Sequence, residues 1–555
     1  MERWRMIRAL AWGRSDVCRR PLRSRLLRNF AGRLGLELLA LTFGGGALAQ
    51  PIAQPITQTS GRLCPAQLGN SLEAIASESL GKQARWGALV QPLSTDASPP
   101  PLYAHNPRQY FTPASNVKLL TSAAALAQLG PDFRIRTSVY AVSPEERVQA
   151  AEGPVNLDAV NLDAVNLDAV NLDAVNLWVV GRGDPSLDSD GLQRLAQQIG
   201  QAGIARVNGL VVDESYLGDR FINPTWDWED VQSGYGAPVN SLMLNQNAIG
   251  VRLFPQAVGQ PLRLEWEQPE LVRRWQVVNE SVTVAPSEPE FVRVGRAWSA
   301  PVLRVQGQLR AGAALDRSAV AVTDPAGHFL HQFEQALAEA GVDVKQTLAQ
   351  QTAPRDRVEV ATHLSPPLAE LLVATNANSQ NLYAEALLRH VGRSVLQRGI
   401  GQNIDQNIDA EALWIAGLDQ IEAVLTTLGV TGAYQLADGS GLSRRNLATP
   451  EAFVQTLQAM AQHPHAEVYR QSLAVMGERG TLRSRLRGTP VAGRFWGKSG
   501  GLSGVSSLSG YLYPPGYSPL VLSLLIDHSD QSGSVRRQTL DAMVAAVARL
   551  TPCPS

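Results

Sequence analysis

The stretch Arg-Phe-Trp-Gly-Lys-Ser-Gly-Gly-Leu-Ser-Gly, residues 494–504, fits three different kinds of site. It fits the end of a phosphate-binding loop, a nucleophile elbow, or a substrate-binding β-strand that begins Lys498-Ser499-Gly500. A phosphate-binding loop needs glycine at position 492, where this chain has alanine, and a helix after the serine, where it predicts a strand. An elbow also leads into a helix, and needs an aspartate and then a histidine well downstream. The only later histidine, His528, directly follows Asp527, so the third interpretation is favoured.

The scarcity of lysine supports a chemical role for Lys498. The chain has 49 basic residues, of which only four are lysines: Lys82, Lys118, Lys345 and Lys498. A lysine can lose its proton or act as a compact point charge, and arginine does neither. Two of the four lysines lie in motifs that resemble catalytic ones.

The first of these motifs is Ser115-x-x-Lys118, at the start of the clearest helical pattern in the chain. Thr112 is the predicted N-cap, and Gly130 the predicted end. Residues three apart share one face of a helix, and the helix N-terminus favours negative charge developing on a serine oxygen. A buried lysine near other cations can serve as the base for that serine. Alone, the pattern is also typical of an ordinary helix with an exposed serine.

A second short motif, Ser379-Gln380-Asn381, stands at a predicted loop-to-helix boundary. Serine and asparagine two residues apart can direct a hydroxyl and an amide into one cleft, although a helix cap explains the same letters. In chain order, S-x-x-K, S-x-N and K-[ST]-G form the motif set of penicillin-binding serine enzymes. Further segments that carry the resemblance are G-R-G-D-P-S-L, Y-G-A-P-V-N-S-L-M-L-N-Q-N, D-G-S-G-L-S-R-R-N and V-S-S-L-S-G-Y-L.

The chain thus resembles the class C low-molecular-mass penicillin-binding proteins, a family of D-alanyl-D-alanine carboxypeptidases and endopeptidases. The resemblance implies a mixed α+β fold, a serine transpeptidase/β-lactamase-like domain interrupted by a large β-rich insertion. The separation of 264 positions between Ser115 and Ser379 fits the two domains that this family inserts there. It implies peptidoglycan stem peptides ending in D-Ala-D-Ala as substrates, β-lactams as covalent inhibitors, and neither a cofactor nor a metal.

The resemblance also assigns roles to individual residues. Ser115 is the expected nucleophile and Lys118 its base, while Ser379 relays a proton to the leaving amine and Asn381 orients Lys118. Lys498 is expected to hold the terminal carboxylate of the substrate. The neighbouring substrate-binding positions are Ser499, Gly500 and Gly501, and backbone N–H groups of Ser115 and Gly501 are expected to form the oxyanion hole.

The chain departs from the family pattern at two positions. The usual K-T-G-T is Lys498-Ser499-Gly500-Gly501 here, which loses one hydroxyl and puts substrate preference and β-lactam affinity in doubt. The central residue of the second motif is Gln380, where aspartate is common.

Two alternatives to a peptidase remain open. One is a β-lactamase or esterase, which the long insertion argues against. The other is a weakly catalytic penicillin-binding protein, which the Ser115–Lys118 pair argues against.

The uneven distribution of charge points to export. Residues 1–49 hold ten arginines against three carboxylates. Since the whole chain has a net charge of −1, the rest carries an excess of eight negative charges, which argues against nucleic acid or an anionic membrane as partner. The basic leader, a short apolar run and Ala47-Leu48-Ala49 predict a signal peptide over 1–49 and a place in the periplasm or cell-wall space. An uncleaved membrane anchor is the alternative, although the apolar run is short and contains Glu37.

The cysteines that remain after cleavage of the leader are Cys64 and Cys553, one near each end. Two cysteines in an oxidising compartment tend to pair, and domain termini tend to lie close together, so a Cys64–Cys553 disulfide is expected. Two free thiols are the alternative. The sequence has no zinc-type spacing of cysteine or histidine.

The predicted order of segments follows from the motif positions. The signal peptide over 1–49 precedes a first part of the peptidase domain at 63–135. Two β-rich inserted domains are expected over 136–354, with a five-residue duplication (V-N-L-D-A) forming a loop at 155–177. The second part of the peptidase domain is expected over 355–553.

Overall fold

The computed structural model describes residues 61–553 with internal gaps, and every structural statement below concerns those residues. The gaps are 82, 95–98, 143–174, 219–221, 269–274, 298–299, 349–351, 355–356 and 401–407. The predicted signal peptide, nearly all of the five-residue duplication and Lys82 therefore lie outside the described residues.

The described residues form ten α-helices and nineteen β-strands. The helices are α1 Pro65–Ser79, α2 Val117–Leu129, α3 Ser189–Gln201, α4 Pro325–Glu339, α5 Leu368–Asn376, α6 Asn381–Ile400, α7 Ala410–Thr427, α8 Pro450–Ala461, α9 Ala466–Gln471 and α10 Gly533–Ala548. The strands are β1 Arg85–Pro92, β2 Tyr103–His105, β3 Arg136–Val142, β4 Val175–Val180, β5 Arg206–Asp213, β6 Ala248–Phe254, β7 Arg263–Trp266, β8 Gln276–Val284, β9 Phe291–Arg296, β10 Val302–Arg310, β11 Asp316–Ala321, β12 Asp343–Val344, β13 Val358–Leu364, β14 Tyr434–Gln435, β15 Leu447–Ala448, β16 Ala474–Val475, β17 Phe495–Leu502, β18 Val505–Leu512 and β19 Leu520–Asp527.

A six-stranded antiparallel sheet, in the order β16-β17-β18-β19-β1-β2, forms the centre of the peptidase part. Every residue of β18 and β19 is buried, because helices cover both faces of the sheet. On one face, α1 and α10 pack through residues such as Leu72 and Val544. On the other, α2 and α8 pack through residues such as Leu119 and Phe453. This is the predicted mixed α+β fold, and the fold-class prediction is confirmed.

The segment between α2 and α5 contains two further cores. A five-stranded sheet, β12-β5-β4-β3-β13, packs against α3 and α4. Between β5 and α4, two three-stranded sheets, β11-β6-β7 and β8-β10-β9, enclose a separate small core that includes Val251 and Val305. The core around the five-stranded sheet contains helices as well as strands. Its strand β13 extends to Leu364, beyond residue 354, the predicted end of the inserted domains.

The start of α2 differs from the prediction. The helix begins at Val117, after a 3₁₀ turn over Ala114–Asn116, and not next to Thr112. Ala114 has a φ of 48°, a left-handed conformation that a continuous α-helix cannot contain. The backbone N–H of Thr112 donates to Asp527 Oδ2 at 3.3 Å. Thr112 therefore belongs to the segment before the helix. Gly130 does end the helix, as predicted.

The two ends of the described chain lie side by side. Cys64 and Cys553 are joined by a disulfide, with their Cα atoms 4.9 Å apart. Backbone hydrogen bonds reinforce this junction: Leu63 N donates to Arg549 O at 3.0 Å, and Thr551 N donates to Leu63 O at 2.9 Å. In the described part of the chain, no helix is long and apolar enough to cross a membrane.

Candidate active site

The tight turn before α2 presents Ser115 at one edge of the six-stranded sheet. On the side of the sheet, Asn116 Nδ2 donates to Ser509 Oγ on β18 at 2.7 Å and so fixes the turn. Gly441 (φ 82°) also packs against the turn, so closely that a Cβ on this glycine would collide with the carbonyl of Ala114. Backbone in such a sparsely populated conformation persists where its surroundings fix it, which is common at functional sites.

Lys118 is completely buried next to this serine. Its Nζ atom lies 3.0 Å from Ser115 Oγ, 2.7 Å from Asn381 Oδ1 and 2.6 Å from the carbonyl oxygen of Ser440. Burial lowers the pKa of Lys118 to about 7, although the carboxylates of Asp438 and Glu385 oppose this shift. A substantial neutral fraction of this lysine is therefore available near neutral pH.

The second motif joins α5 to α6. Ser379 has a φ of 63°, and Asn381 is the first residue of α6, so the predicted loop-to-helix boundary is confirmed. The amide of Asn381 is held on both sides, because its Oδ1 accepts from Lys118 and its Nδ2 donates to the carbonyl of Tyr235 at 2.9 Å. Tyr235 belongs to the segment between α2 and α5, called the inserted segment below, which therefore contributes to the placement of Asn381.

The third motif lies on β17, the strand beside the serine turn. Lys498 is fully buried, and its Nζ donates to Ser379 Oγ at 2.9 Å and to the carbonyl of Ser499 at 2.6 Å. Burial and the nearby Lys118 both lower the pKa of Lys498. Ser499 Oγ lies 2.8 Å from Thr481 Oγ1, so a second hydroxyl stands beside the one in the motif.

The two glycines that follow Ser499 differ in their surroundings. A Cβ on Gly500 would lie 2.9 Å from both the Ser115 nitrogen and the Pro113 oxygen. A Cβ on Gly501 would meet nothing within 4 Å. The strand therefore touches the serine turn at Gly500 and faces open space at Gly501.

A cavity of about 580 Å³ connects these residues. It is lined by Ser115, Ser379, Asn381 and Gly501 on the peptidase side and by Asp227, Glu229, Asp230 and Tyr235 on the inserted side. Arg444 lines the same cavity and forms a 2.8 Å ion pair with Asp227. The carboxylates make this rim negative, which favours substrates that carry a cationic group nearby.

The structure brings together Ser115, Lys118, Ser379, Asn381, Lys498, Ser499, Gly500 and Gly501, the eight residues that the sequence predicted for catalysis and substrate binding. Four residues that contact the site were not predicted from the sequence: Tyr235, Glu385, Ser440 and Thr481. Glu385 could have been proposed, because it follows Asn381 by one helical turn. The sequence gives no indication of Tyr235 or Thr481, because each meets its partner across 146 or 18 residues, respectively.

Among the residues that the structure describes, no group of three or more histidine, cysteine, aspartate or glutamate side chains lies close enough together to hold an ion.

Comparison with known proteins identifies the family. The model of the D-Ala-D-Ala carboxypeptidase 3 (S13) family matches residues 68–550. The chain belongs to this family. A D-alanyl-D-alanine carboxypeptidase from Actinomadura sp. is 30% identical over 537 residues, which cover 94% of this chain and 90% of the relative. A penicillin-sensitive carboxypeptidase A from Dictyostelium discoideum is 27% identical over 466 residues, covering 81% and 83% of the two chains.

A solved structure shares the fold of this S13-family member. Penicillin-binding protein 4 from Haemophilus influenzae superimposes with a TM-score of 0.68 at 20% identity, covering 86% of this chain and 98% of that protein. The chain is a class C low-molecular-mass penicillin-binding protein and a serine-type peptidase, so these two predictions are confirmed.

Proposed function

We propose that this protein is an exported D-alanyl-D-alanine carboxypeptidase that acts on peptidoglycan stem peptides through an acyl-enzyme on Ser115. Family membership supports the reaction class, and the named relatives are carboxypeptidases. The disulfide between Cys64 and Cys553 supports an oxidising compartment, such as the periplasm or the cell-wall space.

The observation that carries the mechanism is the set of contacts around Lys118. A neutral amine has two hydrogens and one lone pair. The Asn381 and Ser440 oxygens, at 2.7 and 2.6 Å, are placed to accept the two hydrogens. The lone pair is then directed at the hydroxyl of Ser115, 3.0 Å away, which is the arrangement a general base requires.

The proposed reaction proceeds in two balanced steps. Ser115 Oγ attacks the carbonyl carbon between the last two D-alanines and gives its proton to Lys118, while the C–N bond breaks. Lys118 passes this proton by way of the Ser379 hydroxyl, which lies 2.9 Å from Lys498, to the nitrogen of the leaving D-alanine and becomes neutral again. Water then hydrolyses the ester and frees Ser115. The backbone N–H groups of Ser115 and Gly501 stabilise the oxyanion, at about 3–4 kcal/mol per donor.

Lys498 completes the site as the partner of the terminal carboxylate. Its Nζ donates to Ser379 Oγ and to the carbonyl of Ser499, whose hydroxyl in turn contacts that of Thr481. A carboxylate bound there favours the charged form of Lys498 and so opposes burial, which lowers the pKa of this lysine. A β-lactam presents a carboxylate beside a reactive amide in the same way, so it is expected to acylate Ser115.

The test is release of D-alanine from a peptide that ends in D-Ala-D-Ala. We expect turnover by the wild type, a loss of about a thousandfold or more in Ser115→Ala, and no change in Ser77→Ala, an exposed serine on α1. Equal turnover by Ser115→Ala would overturn the proposal. A cross-linked peptide dimer, assayed in parallel, measures endopeptidase action on the same serine.

A further inference from the structure

One turn beyond Asn381 on α6, Glu385 lies completely buried behind the site. Its Oε1 atom accepts hydrogen bonds from the backbone N–H groups of Gly439, at 2.9 Å, and Ser440, at 3.0 Å. Its Oε2 atom accepts from Arg389 Nη1 at 3.1 Å. Both oxygens act as acceptors, as expected of an ionised carboxylate.

These bonds fix a peptide unit that touches the proposed base. The carbonyl of Ser440 accepts from Lys118 Nζ at 2.6 Å, while the N–H of the same residue donates to Glu385. A contact without charge also holds the loop that contains Gly439 and Ser440, because Thr121 Oγ1 donates to the carbonyl of Gly439 at 2.8 Å. Glu385 therefore acts on the loop through both its position and its charge, whereas Thr121 acts through position alone.

The charge of Glu385 opposes the effect of burial on Lys118. Burial lowers the pKa of Lys118 to about 7, and the nearby carboxylates of Asp438 and Glu385 raise it. Burial and Asp438 in turn raise the pKa of Glu385, against the opposing effect of Arg389. The charged groups that act on Lys118 are Glu385 on α6, Asp438 in the loop and Lys498 on β17, and Arg389 is paired with Glu385.

We propose that Glu385 is a positioning residue for the reaction: its carboxylate holds the Ser440 carbonyl against the Lys118 amine and places a negative charge behind that amine. This rests on the proposed role of Lys118 as the base for Ser115. The effect is to keep the two hydrogens of the amine directed away from Ser115 and to tune how readily the amine takes up the serine proton.

The scarcity of lysine makes a direct test practical, since the protein has only four. Protein labelled with ¹³C at the lysine ε-carbons gives few resonances, and Lys118→Arg assigns that of Lys118. Glu385→Gln keeps an oxygen for both backbone N–H groups but removes the charge. We expect the titration midpoint of Lys118 to fall by about one pH unit in this variant, because an adjacent opposite charge has an effect of that order.

Thr121→Val is the matched control, because it weakens the same loop without changing a charge. We expect it to leave the Lys118 midpoint within a few tenths of a pH unit of the wild type. An unchanged midpoint in folded Glu385→Gln, or an equal fall in Thr121→Val, would overturn the inference. If Glu385→Gln does not fold, Glu385→Leu/Arg389→Leu replaces the buried pair with apolar residues, a change that proteins often tolerate, and must lower the midpoint as well.

The rate of acylation by a labelled penicillin, measured against pH, separates this inference from the proposed function. In the wild type, the rate is expected to rise with pH through about 7, as Lys118 loses its proton. In Glu385→Gln, the rise is expected about one unit lower. Acylation that does not depend on Ser115 would refute the proposed function, whereas Ser115-dependent acylation with an unshifted profile would refute only the role of Glu385.

Discussion

A single glycine at the point where β17 meets the serine turn allows the strand to approach Ser115 closely. Gly500 lies there, and a side chain at this position would press on the Ser115 nitrogen and the Pro113 oxygen, each 2.9 Å from an added Cβ. Ser507 Oγ, which donates to the same Pro113 carbonyl at 2.7 Å, leaves no room on the other side. Gly500 is thus required because two backbone segments approach closely.

Gly500→Ala is expected to slow acylation by a β-lactam by about a hundredfold, because a shift of about 1 Å in catalytic geometry has that cost. Gly501→Ala should lose less than about tenfold, since its Cβ would enter open space and its N–H would remain. Second-order acylation rates of the two variants provide the comparison. Equal losses would mean that close packing at Gly500 does not govern the reaction.

The residues of the site could be predicted from the sequence to the extent that they lie in short motifs. Ser115, Lys118, Ser379, Asn381 and Lys498 each belong to a pattern only a few residues long, and their order along the chain identifies the family. The partners of these residues depend on the fold. The Ser440 carbonyl beside Lys118 is a backbone atom, which no side-chain pattern can reveal.

Among the elements, α6 connects the catalytic cleft to the inserted segment. It begins with Asn381, carries Glu385 one turn later, and packs His390 against the backbone of Arg182 and Gly183 in the inserted part. His390 is buried, its ring meets Phe133 edge-on at 5.3 Å, and its Nε2 atom has no hydrogen-bond partner among the described residues. Burial lowers the pKa of His390 to about 4.

The low pKa of His390 predicts a loss of stability in acid. The unfolded chain takes up a proton near pH 6.5 and the folded protein only near pH 4, so stability falls as the pH decreases through this window. The full effect is about 3 kcal/mol. His390→Phe should remove it, so that its stability declines less than that of the wild type between pH 7 and pH 4.5 in urea unfolding. His528→Gln, at an exposed histidine, is the control, and parallel declines in all three proteins would contradict the assignment.

The elements themselves were predictable in type more than in extent. The pattern of 117–129 indicates a helix and that of 495–512 indicates strands, because their hydrophobic periodicity reflects burial on the sheet. The start of α2 was misplaced, since the left-handed residue Ala114 is imposed by the packing of Gly441 and not by local propensity. The pairing of β3 with β13, more than 200 residues apart, has no local signal either.

At the scale of the whole described chain, the junction between its two ends closes the peptidase fold. The disulfide links residues 489 positions apart, and α1 and α10 pack side by side on the same face of the central sheet. A cross-link that closes a long loop restricts mainly the unfolded chain, so it stabilises the fold without shaping the cleft. The two cysteines were an identifiable pair in the sequence, whereas the arrangement of the inserted cores was not.

Cys64→Ala/Cys553→Ala is expected to destabilise the protein by about 2–4 kcal/mol and to leave the acylation rate at 25 °C within about twofold of the wild type. Thermal unfolding of both proteins, each with and without reductant, measures the first effect. Reductant should lower the midpoint of the wild type only. A double variant as stable as the oxidised wild type would show that the disulfide contributes nothing.

The central claim is that Ser115 is the nucleophile, and intact-protein mass after incubation with a penicillin tests it most directly. We predict one covalent adduct of the mass of the whole β-lactam on the wild type and on Ser77→Ala, and none on Ser115→Ala. Tryptic mapping of the labelled wild type should locate the adduct on the peptide that contains Ser115. A wild type that takes no adduct, or a Ser115→Ala variant that is labelled to the same extent, would contradict the account.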